Sequence, residues 1–71
     1  MRAEFKINMD NPSFSDMPHK ELARILSMLA ERLLERGLEN FTLMDLYGNK
    51  VGGLIIVDEY LEAKKEGKYE N

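Results

Sequence analysis

Hydrophobic and polar positions alternate strictly over residues 2 to 9. Ala3, Phe5, Ile7 and Met9 fall on one side and Arg2, Glu4, Lys6 and Asn8 on the other. A period of two predicts a strand with one buried and one wet face. It should stop at Asp10-Asn11-Pro12, where proline removes a ladder donor and Asx side chains favour turns. The period then changes. From Met17 to Arg36 the apolar residues Leu22, Ile25, Leu26, Leu29 and Leu33 recur at i, i+3, i+4 and i+7, flanked by Ala23 and Ala30, which predicts an amphipathic helix. Glu21, Arg24, Glu31, Arg32, Glu35 and Arg36 are assigned to its solvated face, and Met28 falls among them. Pro18 suits the first turn, Ser15 or Asp16 can cap it, and Gly37 suits the C-terminal stop.

Residues 41 to 57, FTLMDLYGNKVGGLIIV, read as two strands around a turn. Gly48-Asn49 fits a two-residue type II′ loop, which sets Leu46 opposite Val51, Met44 opposite Gly53 and Thr42 opposite Ile55 on one face. Phe41, Leu43, Asp45 and Tyr47 then share the other face with Lys50, Gly52, Leu54 and Ile56. Tyr47-Gly48 as the turn, or a bulged three-residue loop, would slip that register and swap these faces. Gly52 and Gly53 point to a bulge or to the close approach of another backbone. Asp58 can cap a short helix to about Lys65.

The fold class that follows is α+β. Residues 1–57 form a single βαββ domain, with one long amphipathic helix packed on a three-stranded sheet, and 58–71 form a tail with an optional short C-terminal helix. A right-handed crossover would run the first strand parallel to one hairpin strand. One helix covers one side of such a sheet, so the other side, or an edge, is left for a partner.

Composition narrows the function. Seventy-one residues without cysteine make one small core with no disulfide or thiolate metal site, and a second copy of the chain, as a homodimer, is the expected source of added stability. No leader or long apolar run is present, so a cytoplasmic protein that does not enter the membrane is expected. The net charge of −3 disfavours nucleic acid as a partner, and Arg24, Arg32, Arg36, Lys50, Lys64 and Lys65 are interleaved with acids.

The stretch DNPSFSDMPHKELARIL, residues 10 to 26, gathers the candidate chemistry. Asp10, Asp16, His19 and Glu21 could offer metal ligands, but they match neither a zinc nor an EF-hand spacing. Ser13, Ser15 and Ser27 lack a nucleophile elbow, and GNKVGG is neither a Walker nor a dinucleotide loop. No catalytic residue, metal ligand or cofactor is assigned, and the chain is read as non-enzymatic. The stretch is first a connector, with Phe14 anchoring it to the core.

The alternating strand, the connector with Asp10-Asn11, Phe14 and Asp16, the helix motif Glu21-Leu22-Ala23-Arg24-Ile25-Leu26 and the run Asp45 with Gly48-Asn49-Lys50-Val51-Gly52 resemble small uncharacterised proteins encoded in phage and prophage genomes. The likeness spans residues 2 to 57, and Tyr47 departs from it where a turn-former is expected. It implies an accessory protein that binds a host or phage protein. The alternative is a nucleic-acid-associated or regulatory module, including a weakly acidic inhibitor of a host nucleic-acid enzyme. Ser13, Met17, His19, Met28, Tyr47 and Tyr60 are the candidate partner contacts.

Overall fold

The computed structural model describes residues 1–58. Its elements follow the predicted order: β1 (Arg2–Ile7), a 3₁₀ turn (Pro12–Phe14), α1 (Pro18–Arg36), β2 (Phe41–Met44) and β3 (Lys50–Val57). The sheet order is β1-β3-β2, with β3 antiparallel to both neighbours. β1 and β2 therefore run in the same direction, as a crossover through one helix requires, but β3 lies between them. The helix and tail position expected after Asp58, and Tyr60 with them, lie outside the described residues.

The core joins Phe14 of the connector, Ile25 and Leu29 of α1, and Phe41, Leu43, Val51 and Leu54 of the hairpin, with Ile7, Leu33 and Ile56 packed around them. The buried arc of α1 is turned from the expected one. Leu26 and the two flanking alanines are exposed, whereas Glu21 is buried and Met28 half-buried. Periodicity locates the centre of an apolar arc, but its rim is chosen by what the sheet offers. Here that rim is polar, for a reason given below.

The termini of α1 divide the same way. Gly37 ends the helix at φ 85°, donating its N–H to Leu33 O at 2.9 Å, as its sequence position requires. At the other end neither Ser15 nor Asp16 caps. Met17 is the N-cap residue without any side-chain bond, and Pro18 opens the first turn. Ser15 Oγ instead donates to Pro12 O at 2.6 Å and closes the 3₁₀ turn.

The hairpin loop has three residues, not two. Gly48 N–H donates to Asp45 O at 3.0 Å and Asp45 N–H to Asn49 O at 2.8 Å, so Leu46, Tyr47 and Gly48 form the loop. Gly48, at φ 85°, is therefore the last residue of this loop and not the first central residue of a type II′ turn. This longer loop would by itself have swapped the faces of the hairpin. A bulge opposite Leu43/Met44 inserts one extra residue in β3 and swaps them back, so Phe41↔Leu54, Thr42↔Gly53 and Leu43↔Gly52 are paired. The expected faces survive there. The exception is Val51, which the bulge turns into the core, leaving Lys50 opposite Met44 on the outer face.

Asn40 and Gly52 explain how three strands meet. Asn40 Oδ1 accepts from Ile56 N–H at 2.8 Å, so a side chain supplies a ladder acceptor just before β2 begins. At Gly52 a Cβ would overlap the Lys6 carbonyl oxygen and come 2.9 Å from Ile7 Cα, so only glycine lets β1 close against the bulged stretch of β3.

Candidate functional site

Two carboxylates from distant parts of the chain meet at the hairpin tip. Asp45 directly follows β2 and is 4% exposed. Its Oδ1 accepts from Tyr47 N–H at 2.9 Å and Asn49 N–H at 2.8 Å. Its Oδ2 accepts from Ser13 Oγ at 2.9 Å, Asn11 Nδ2 at 3.2 Å and Asn49 Nδ2 at 3.3 Å. The connector and the hairpin loop are thus tied by one side chain. Burial alone would raise the Asp45 pKa, but the bonds from Asn49, Asn11 and Ser13 outweigh it and hold the carboxyl well below its usual range.

Glu21, in the first turn of α1 and 7% exposed, does the same from the helix side. Arg24 Nε and Nη2 donate to its two oxygens at 2.8 Å each, and Leu46 N–H donates to Oε2 at 2.7 Å. The bidentate Arg24 contact is the main reason that its pKa is lowered; desolvation opposes it and the Leu46 amide supports it. Arg24 Nη1 also reaches Met28 Sδ at 3.0 Å. This network accounts for the polar rim of the buried arc.

Together the two carboxylates take the N–H groups of Leu46, Tyr47 and Asn49, while the side chains of Leu46 and Tyr47 remain 62% and 67% exposed. The loop backbone is held rigidly and two apolar side chains are presented to solvent. Of the expected contacts, Ser13 and Tyr47 share Asp45, Met28 joins through Arg24, and Met17 adjoins through its carbonyl, which accepts from Glu21 N–H at 3.2 Å. Ser13 is committed to Asp45, so its role is to support the tip. His19 is exposed on the first turn of α1 and no bond joins it to this cluster. Leu46, Asp45 and Glu21 were not among the expected contacts. The Asp-x-x-Gly spacing at the turn was visible, but the reach of Glu21 across 25 residues was not.

Among the described residues no group of three or more histidines or carboxylates is placed to hold a metal ion, and no helix is long and apolar enough to cross a membrane. On the far side of the sheet lies a shallow groove of about 420 Å³ lined by Glu4, Lys6, Thr42, Lys50 and Ile55 over Gly53.

The network sets two expectations. Glu21→Gln keeps the shape but loses the charge that Arg24 and Leu46 N–H bind, and it should cost about 1–2 kcal/mol in urea unfolding. Arg24→Ala should cost less, because Arg24 is partly solvated. The pH dependence follows from the depressed carboxyls. Their stabilisation is complete above the ordinary values of 3.8 and 4.5 and is lost as pH falls through the lower folded-state values. Melting temperature should therefore be level from pH 7 to about 5 and fall steeply below about 4. A variant with Asp45→Asn should show a flatter acid limb.

No protein-family model matches the chain, and neither a curated protein nor a solved structure matches it.

Proposed function

We propose that this chain is a non-enzymatic accessory protein of the phage type, acting by binding a host or phage protein, and that the hairpin tip is its docking element. The observation that carries this reading is the combination at residues 45–49. Buried carboxylates immobilise the backbone while Leu46 and Tyr47 project from it. Preorganisation of this kind lowers the entropy lost on association, and tyrosine is a rigid, amphipathic anchor enriched at binding hot spots. Exposed Met17 lies one helical turn before Glu21, whose carboxylate holds the Leu46 N–H.

The test compares the immobilised 71-residue chain with Tyr47→Ser and Leu46→Ser variants that retain the parent melting temperature. A protein captured from host lysate by the parent should be lost at least tenfold from both variants. Equal capture by all three would overturn the role of the tip. The nucleic-acid reading draws support from Lys6 and Lys50 in the sheet groove, but Glu4 shares that groove and Arg24 is occupied by Glu21. It requires salt-dependent retention of DNA or RNA, so a silent gel shift at low salt would remove it.

A further inference from the structure

Among the described residues no strand lies beyond β1, and its outer edge carries a pattern that fits itself. Asn8 N–H donates to Val51 O at 2.7 Å, so in the alternating ladder the even-numbered residues of β1 turn their backbone groups toward β3. The N–H and C=O groups of Ala3, Phe5 and Ile7 then point to the free edge. β1 is the longer edge of the sheet and contains neither proline nor bulge. Its Phe5 shares a sheet face with Leu54 of the core but remains 42% exposed. An edge this regular is normally blunted or paired.

The geometry points to a homodimer in which β1 pairs antiparallel with β1 of a second copy, the two-fold axis passing beside Phe5, to give one continuous six-stranded sheet. Charge selects this register. With Phe5 opposite Phe5 of the second copy, Ala3 faces Ile7, and each Glu4 faces the Lys6 of the other chain twice over by symmetry. A slip of two residues one way opposes Glu4 to Glu4 and Arg2 to Lys6; a slip the other way opposes Lys6 to Lys6. Of these three, only the central register joins opposite charges on the outer face and apolar groups on the helix face; a slip of four residues also sets Arg2 opposite Glu4, but it aligns only residues 2–4 of each strand, against 3–7 in the central register. It also sets the three outward-pointing residues of each strand against one another, for about six new backbone hydrogen bonds. Among the described residues Lys6 makes no ion pair, and the exposed Arg2–Glu4 pair is the weak alternative use of Glu4. The lysine that would guard an edge strand against pairing is here answered by a glutamate two residues earlier. This inference does not rest on the hairpin tip.

The 71-residue chain has no cysteine, which permits a direct test on the whole of it. Hydrogen-bonded antiparallel partners have Cα atoms about 5.5 Å apart, within disulfide range. Under mild oxidation Phe5→Cys should therefore form a covalent dimer, whereas Thr42→Cys and Ile55→Cys should not. In sedimentation velocity the parent should show concentration-dependent dimerisation. Glu4→Lys or Lys6→Glu alone should raise the dimer dissociation constant about tenfold, and the double reversal should restore it. Both charged positions are exposed, and circular dichroism would confirm that each variant is folded. A parent that stays monomeric up to millimolar concentration would overturn the proposal. So would a dimer that crosslinks through Ile55→Cys, or one indifferent to both charge reversals.

Discussion

Asp45→Ala is expected to abolish the ordered hairpin tip and to lower the melting midpoint of the whole chain by at least about 15 °C, the largest effect of any polar substitution. The reason is the number of donors that converge on one buried side chain. Alanine leaves the N–H groups of Tyr47 and Asn49, the Ser13 hydroxyl and the Asn11 amide without their acceptor at a site that water scarcely reaches. Unsatisfied buried donors cost more than the bonds themselves contribute. The damage should spread, because Asp45 joins the connector before α1 to the loop after β2. Thermal melting by circular dichroism checks the midpoint. Amide exchange of Tyr47 and Asn49 checks the cause, since their protection should vanish even in the fraction that remains folded. Asp45→Asn should fall between parent and alanine, because the carboxamide keeps one acceptor oxygen but turns an NH₂ toward donors.

Gly52→Ala should be the most damaging single methyl that can be added to the sheet, costing about 3 kcal/mol, at the upper end of overpacking. The added Cβ meets backbone rather than a movable side chain: the Lys6 carbonyl overlaps it, and Ile7 Cα lies 2.9 Å away. Relief requires β1 to move off β3 along the ladder from Arg2↔Val57 to Ile7↔Gly52. Gly53→Ala is the control. Its Cβ would stand 3.0 Å from Phe41 O, tight but open to a small adjustment, so its effect should be clearly smaller. Urea unfolding of the pair reads the difference. Similar losses at both glycines would show that strand propensity, rather than contact with β1, governs this stretch. In a domain of this size, Gly52→Ala would remove a large share of the total stability.

Local pattern determined most of the architecture. The strict alternation through Ile7, the 3.6-residue spacing from Leu22 to Leu33, Pro18 and Gly37 at the helix ends, and paired glycines in the hairpin each act over a few residues, and each element is where its chemistry placed it, although the apolar side of β1 expected to be buried is exposed at Ala3 and Phe5. Phe14 was legible for the same reason, as the one aromatic residue in a polar connector. The loop type was not legible. Gly48 suits the first position of a two-residue loop or the third of a longer one, and the choice turns on Asp45, whose carboxylate takes the amides at 47 and 49. The bulge at Val51 then follows from burying a valine that simple alternation would have left outside. Glu21 shows the limit most clearly. In sequence it is one more acid on a charged helix face; in the structure a sheet turn brings Leu46 N–H within 2.7 Å and Arg24 closes over it. A helix period reports which residues share a face, because that is a property of the helix alone. Which edge of that face is buried depends on the hydrogen-bond donors that another segment brings to it, and only the folded chain decides that.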